Sequence, residues 1–243
     1  MSNRLIHIGS FILDAEHSRH LLVEVQRQQA VLQARLDDEQ YNLNLLAKRL
    51  WAQQESEKAK LSRELHDGVG QLLTGLTRRL LSISSNQPEF QELAQLSQMA
   101  LSDVRQLSRL MSPTILDDLG LVPAIKWLCR NLFEHEDCHY ECQFDCTLQL
   151  PKDISILVFR IAQEALVNII KHAQASKARV LLSSHHQTIR LDIIDNGLGF
   201  EHKEVEKGIG LHSMQDRAQA FNAQLTIYAK ANKGSRITLT VAI

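Results

Sequence analysis

From about Ala15 to Ser84 the chain has no proline and few turn signals, and this run decides most of what it can fold into. Leu22, Val25, Leu32, Leu36, Leu43, Leu46 and Leu50 keep a three-and-four spacing, broken near Gln29 and Glu39. That pattern predicts one long helix with coiled-coil tendencies. Leu61, Leu65, Val69, Leu72, Leu76, Leu80 and Ile83 carry the apolar stripe onward. The stripe is too narrow and the helix too long to be stable alone, so a partner helix is implied. Ser84-Ser85-Asn86-Gln87-Pro88 reads as a turn. A second helix follows, with Leu93, Leu96, Ala100, Val104, Leu107 and Met111 expected to face inward, and it stops before Pro113. Two antiparallel helices cannot bury two apolar faces by themselves, whereas a dimeric four-helix bundle can.

From Leu121 the pattern changes. Residues 123–133, 154–172 and 211–221 read as helices, and residues 140–148, 178–184, 188–195, 224–229 and 235–242 as strands. Helices mixed with mostly antiparallel strands indicate a two-layer α/β sandwich. The expected organisation is an N-terminal helical, coiled-coil signalling segment over residues 1–57, a dimerising helical hairpin over 58–118, and the α/β domain over 119–243.

Composition narrows the classes. The formal net charge is −1, which gives no support to nucleic-acid binding. No apolar run approaches the ~20 residues that span a bilayer. The patch from Leu5 to Leu13, broken by His7, Gly9 and Ser10, is too short and polar for a signal sequence, so a cytoplasmic location is expected. Cys129, Cys138, Cys142 and Cys146 lie near His135 and His139, but without the C-x-x-C pairs of zinc or iron–sulfur sites. Tyr140, Cys142, Phe144, Cys146 and Leu148 alternate with polar residues, and a half-buried strand explains them without a metal.

Chemistry enters with Glu64-Leu65-His66-Asp67-Gly68-Val69-Gly70-Gln71-Leu72-Leu73. His66 and Asp67 fall off the apolar stripe, toward solvent. Gly68, Gly70 and Gly75 interrupt a helix that alanine would serve better, at about 1 kcal/mol each, and leave room for something bulky beside the histidine. Three further stretches follow in order: Phe159-Arg160-Ile161-Ala162-Gln163-Glu164-Ala165-Leu166-Val167-Asn168-Ile169-Ile170-Lys171-His172, then Asp195-Asn196-Gly197-Leu198-Gly199-Phe200, then Gly208-Ile209-Gly210-Leu211. Glu164 and Asn168 are one turn apart and share a helix face. An amide beside an acid suits Mg²⁺, which takes few protein ligands and keeps waters and phosphate oxygens. Asp195 ends a strand and precedes Asn-Gly, a strong turn signal.

In that order these stretches resemble the phosphoacceptor box, the asparagine box and the two glycine boxes of sensor histidine kinases. The resemblance covers roughly residues 58–243. It is nearest to the nitrate/nitrite-sensor and membrane-fluidity-sensor subfamily, marked by His-Asp-x-x-x-x-Gln with Gln71 in place, and by the link Met111-Ser112-Pro113-Thr114-Ile115-Leu116-Asp117-Asp118-Leu119-Gly120-Leu121. It implies a dimeric four-helix bundle followed by the ATP-binding sandwich shared by gyrase, Hsp90, histidine kinases and MutL, with ATP and Mg²⁺ as cofactors.

The resemblance also implies roles. His66 is the phosphate acceptor, Asp67 accepts a hydrogen bond that fixes its tautomer and eases loss of its proton, and Gln71 orients water for removing phosphate from a partner. Asn168 holds Mg²⁺, Glu164 orders a magnesium-bound water, and Lys171 and His172 meet phosphates. Asp195 accepts the adenine amine, with Gly197 and Gly199 allowing close approach of the base. Gly208, Gly210 and Leu211 belong to the loop and helix start over the phosphates. Ser235, in Gly234-Ser235-Arg236, stands where relatives usually carry threonine and keeps the hydroxyl. The implied partners are a second copy of the chain, the receiver domain of a response regulator, and a separate sensory protein at the N-terminal helix.

Two rivals are compatible with parts of this pattern. A catalytically silent dimeric scaffold for a kinase or regulator would not need His66, Asn168, Asp195 and the glycines intact. A serine kinase of the anti-sigma-factor type would lack the helical hairpin that carries His66. His7, His17 and His20 read as scattered residues of a solvated helix, not as a haem or metal site.

Overall fold

The computed structural model describes the backbone of residues 2–83, 88–111, 114–146, 148–200 and 209–243, and their side chains apart from those of residues 2–20, 88, 114 and 209. The expected turn at 84–88, Ser112 and Pro113 of the link, the loop 201–207 with Gly208, and the side chains of His7, His17 and His20 lie outside the described residues.

Helix α1 spans Ser2–Glu64, so it begins earlier than the expected start near Ala15. The chain divides into two compact units, residues 1–46 and 47–243. In the first unit Leu22, Val25, Leu32, Leu36, Leu43 and Leu46 are exposed, as an unpaired coiled-coil stripe requires. Side-chain hydrogen bonds four residues apart, such as Gln33 to Asp37 at 2.9 Å and Gln53 to Glu57 at 3.0 Å, support the helix in each unit.

In the second unit, α1 passes into a π-helical segment, Leu65–Gly70, and continues as α2, Gln71–Ile83. Helix α3, Pro88–Met111, packs back against them. Small and hydroxyl residues fill the seam. Ser62 Oγ donates to the Ser108 carbonyl at 2.9 Å, Ser108 Oγ donates to the Ser62 carbonyl at 3.0 Å, and Thr77 Oγ1 meets Ser97 Oγ at 2.8 Å. Gly70, Ala94 and Leu101 complete it.

Within one chain the expected inward faces stay largely uncovered. Leu93, Leu96 and Leu107 are exposed, and so are Leu61, Val69, Leu72, Leu76 and Ile83 of the opposing stripe. Short side chains let the two helices approach closely, which leaves the leucines on outer faces that one chain does not cover.

Helix α4, Thr114–Leu119, and α5, Leu121–Phe133, lead into β1, His139–Asp145. Then come α6, Lys152–Asn168, a second π-helical segment, Ile169–Ala173, β2, Lys177–His185, and β3, Thr188–Asp195. Helix α7, Ile209–Ala220, β4, Gln224–Ala229, and β5, Ser235–Ala242, complete the fold. The five strands run in the order β1-β2-β3-β5-β4. Only the β1–β2 pair is parallel.

Alternation puts Val180, Leu182, Ile189, Leu191, Ile193, Ile237, Leu239 and Val241 inward against Ile125, Leu128, Leu157, Phe159, Ile161 and Leu166 of α5 and α6. The result is the expected two-layer sandwich. Strand β1 alternates as expected at Tyr140, Cys142 and Phe144 but ends at Asp145, and Leu148 beyond it is exposed. Buried Cys129 of α5 faces Cys142 of β1. Hydrogen bonding to Cys142 and burial push the Cys129 thiol up, while the same contact lowers Cys142. Among the described residues no helix is long and apolar enough to cross a membrane, and no three His, Cys, Asp or Glu residues are grouped to hold a metal.

Candidate nucleotide and phosphoacceptor sites

A cavity of about 590 Å³ opens between α6 with its π-helical end, the β3–β5 strand ends and the start of α7. Its lining includes Glu164, Asn168, Lys171, His172, Asp195, Gly199, Gly210, Leu211 and Ser235. Residues up to 71 positions apart in sequence thus meet in one cleft, and of the expected nucleotide residues that are described only Gly197 is not in its wall. Gly208 lies outside the described residues.

The π-helical segment explains how Lys171 and His172 reach the cavity. A wider i→i+5 turn resets the helix face after Asn168, and the segment ends at Gln174 in the left-handed region, φ 49°. The chain then enters β2 with its backbone held by the Asn196 amide, whose oxygen accepts from the Ser176 and Lys177 N–H groups at 3.0 and 2.8 Å.

Asp195 is buried at the end of β3. Its Oδ1 accepts the Gly197 N–H at 2.8 Å, and its Oδ2 accepts both the Ser235 N–H at 3.2 Å and the Ser235 hydroxyl. The Ser235 hydroxyl therefore orients this carboxylate, which lines the cavity.

The glycines answer first to the protein's own backbone. A Cβ on Gly197 would strike the Ala173 carbonyl, and one on Gly199, with φ +59°, would strike the Lys230 and Gly234 carbonyls. Approach to a base is thus not their only requirement, and Gly197 serves by giving its N–H to Asp195. Gly210 sits in the first turn of α7, where a Cβ would collide with Glu164 Oε1 and lie 3.6 Å from Asn168 Nδ2. The start of α7 and the Glu164–Asn168 pair therefore face each other, with N–H groups of a helix start on one side and a carboxylate and an amide on the other.

His66 and Asp67 lie in the first π-helical segment and are both largely exposed. His66 Nδ1 is 3.2 Å from Asp67 Oδ1, which leaves Nε2 clear of the carboxylate. A Cβ on Gly68 would meet nothing within 4 Å, so the surface beside His66 is open. In an α-helix Gln71, five residues on, would point well away from His66. Gln71 follows directly on the π-helical segment, at the start of α2, and is exposed.

The sequence reading assigned no role to Arg160 of α6. It is buried, and it donates to both oxygens of Glu55 in α1, to the Leu110 and Met111 carbonyls at the end of α3, and to Gln163 Oε1. A buried charge of this kind needs a paired acid, but neither spacing nor periodicity links residues 55 and 160. Four arginines near His66 were missed as well. Arg105 and Arg109, four apart on α3, were the available signal.

The fold joins a sheet-and-helix domain with an open cavity to a helical hairpin that presents an exposed histidine. Residues 153–243 match the family described as histidine kinase-, DNA gyrase B-, and HSP90-like ATPase, and residues 57–116 match the family described as histidine kinase. The signal transduction histidine-protein kinase/phosphatase DegS of Brevibacillus brevis is 32% identical over 201 residues, 78% of this chain and 52% of that protein. The oxygen sensor histidine kinase NreB of Staphylococcus carnosus (strain TM300) is 31% identical over 220 residues, 87% of this chain and 63% of that protein. Among solved structures, the blue-light activated histidine kinase of Erythrobacter litoralis EL346 aligns with a TM-score of 0.48 and 18% identity, over 74% of this chain and 59% of that one. The chain thus carries in tandem the two domains that these histidine kinase family descriptions name. It spans between about half and just under two thirds of the length of these two relatives.

Proposed function

We propose that this chain is an ATP-dependent protein-histidine autokinase that phosphorylates His66 and passes the phosphoryl group to an aspartate of a response regulator. The observation that carries the reading is the exposed His66–Asp67 pair on the same chain as a cavity of the ATPase fold. In the tautomer with its proton on Nδ1, His66 has a free Nε2 lone pair while Asp67 accepts the Nδ1 proton. Nε2 forms the bond to the γ-phosphorus in line as the bond to the β,γ-bridging oxygen breaks. ADP leaves with that electron pair, and the Nδ1 proton passes to Asp67.

Within the cavity, Asp195 accepts the exocyclic amine of adenine, and Lys171 and His172 contact phosphates together with Gly210 and Leu211 at the start of α7. Asn168 would hold Mg²⁺ and Glu164 would order a water beside it, and the ion would supply charge neutralisation at the phosphate oxygens. The donor set fits, because an amide and a carboxylate one turn apart face the same helix start. The described walls of the cavity and the surroundings of His66 share no residue, so transfer requires domain movement or a neighbouring copy.

Gln71 positions water against the phosphorylated regulator, which makes the chain a regulator phosphatase too. The exposed leucines of the hairpin support a homodimer, and those of residues 21–46 support a helical partner such as a separate sensory protein. A cytoplasmic location fits the use of ATP and four free cysteines.

The test is to incubate the full chain with labelled ATP and Mg²⁺. Acid-labile, alkali-stable label on the wild type, absent from His66→Gln, is the expected result. Undiminished label on His66→Gln would overturn the acceptor assignment. No label on the wild type under any condition would favour the silent scaffold.

A further inference from the structure

A cleft of about 700 Å³ opens beside His66 and Asp67, and its lining includes the guanidinium-bearing residues Arg63, Arg105, Arg109 and Arg130. They come from three helices: Arg63 from α1, Arg105 and Arg109 from α3, and Arg130 from α5. The Ser62–Ser108 hydrogen bonds fix the register that sets Arg63 beside the α3 pair. Against four arginines the cleft offers two carboxylates, Asp67 and Asp118.

No described carboxylate lies within ion-pair distance of Arg63, Arg105 or Arg130, and Arg109 stands over the Trp127 ring, 6.0 Å from its centroid. Arg105 and Arg109 are like charges four apart on one helix face, an arrangement that weakens an isolated helix. An anion held between them reverses the sign of that interaction. Guanidinium is the side chain whose planar fork matches a phosphoryl group, with two parallel N–H donors. The aromatic stacking of Arg109 also lowers the entropy lost when its fork engages.

We infer that this cleft is a phosphoryl subsite. Its arginines hold the group once His66 carries it, and the same forks take a free oxyanion such as inorganic phosphate. The first half rests on the reading of His66 as acceptor, whereas oxyanion binding at the cleft does not. Holding the product has a thermodynamic consequence. It shifts the equilibrium between chain plus ATP and phosphorylated chain plus ADP toward the phosphorylated chain, with no bond beyond those already described.

The test compares the wild-type full chain with an Arg105→Gln/Arg130→Gln double variant, and with Arg179→Gln on the exposed face of β2 as control. Inorganic phosphate is titrated at low ionic strength while the His66 imidazole signals are followed by NMR. Loss of two charge-assisted contacts should weaken phosphate binding by about tenfold or more in the double variant and leave the control unchanged. In a second arm, labelled chain is challenged with ADP. The ADP concentration that removes half the label should fall by about tenfold in the double variant, while affinity for a fluorescent nucleotide stays at the wild-type level.

An unchanged phosphate response in the double variant overturns the subsite. So does an equal loss in Arg179→Gln, which would mark diffuse charge only. If the wild type takes no label but phosphate still shifts His66 through these arginines, the subsite stands for free oxyanions and the kinase reading falls. A melting curve of the double variant matching the wild type separates loss of binding from loss of fold, and partial recovery in Arg105→Lys/Arg130→Lys supports charge at these positions.

Discussion

Glu55 of α1 and Arg160 of α6, 105 positions apart, form a buried ion pair at 2.6 Å. The guanidinium also caps the Leu110 and Met111 carbonyls, so one side chain ties the first helix, the end of α3 and the sandwich together. The same cluster of charge reaches Lys58, whose pKa is lowered by burial and then by Arg160, and Arg217, lowered chiefly by burial.

Removing either partner strands a buried charge, which costs about 3–5 kcal/mol. Glu55→Leu and Arg160→Met should each destabilise the chain by that order in urea unfolding. The double variant should cost less than the two singles added, because neither charge is then orphaned. Strict additivity would show that the pair is not an interacting unit.

Asp195→Asn replaces an acceptor with a group that carries both kinds of polarity. Its NH₂ would face either the Gly197 N–H or the Ser235 N–H, and it can no longer accept adenine's amine cleanly. Nucleotide affinity should fall by about tenfold or more, with the circular-dichroism spectrum preserved. Asn168→Ala should weaken Mg²⁺-dependent binding more than Mg²⁺-independent binding. Unchanged affinity in both variants would remove the nucleotide assignment.

The exposed leucines of the hairpin should be covered by a second copy. At ~25 cal/mol per Å² of apolar area, side chains such as Leu72, Leu76 and Leu96 are each worth about 1.5–3 kcal/mol when fully buried. Light scattering should report a dimer for the wild type at micromolar concentration, and Leu72→Glu with Leu76→Glu should shift it to monomer. A wild-type monomer would contradict the bundle.

Gln71→Ala should leave autophosphorylation intact and slow the loss of phosphate from the cognate regulator. Its amide both donates and accepts, and it is exposed directly after the π-helical segment that carries His66. Equal decay rates of phosphorylated regulator with wild type and variant would leave the chain a kinase only.

Asp192, on the outer face of the sheet, supplies a pH signature. Burial raises its pKa, but hydrogen bonds from Arg190 at 2.7 Å and Thr238 at 2.7 Å, with the charges of Arg190 and Arg236, outweigh that and hold it below the usual carboxylate value. A lowered folded-state pKa contributes stability above the unfolded value, near ~3.9, that is lost as pH falls through the folded value. Both arginines are about half exposed, so screening keeps this contribution near ~1 kcal/mol. Asp192→Asn should therefore lower stability at neutral pH and flatten the fall in stability below about pH 4. An unchanged acid limb would rule out this carboxylate as a contributor.

The sequence by itself determined the long proline-free helix, the end of the second helix by Met111, the alternation that buries one sheet face, and the stretches whose described residues line the cavity or carry His66. Each rests on local periodicity or on residues close together in the chain, so spacing alone reports it. Spacing also marked Glu164 with Asn168, one turn apart. Only the tertiary structure decided which helix face packs within the chain. Leucine periodicity is the same whether a stripe meets its own hairpin or a second molecule, and here serines, threonines and alanine took the inner seam because short side chains permit closer approach. Tertiary structure also decided the two π-helical segments, the Ser235 hydroxyl on Asp195, the Glu55–Arg160 pair and the arginine cleft. Those depend on groups from distant elements meeting at hydrogen-bond distance, and no period within one segment encodes such a meeting.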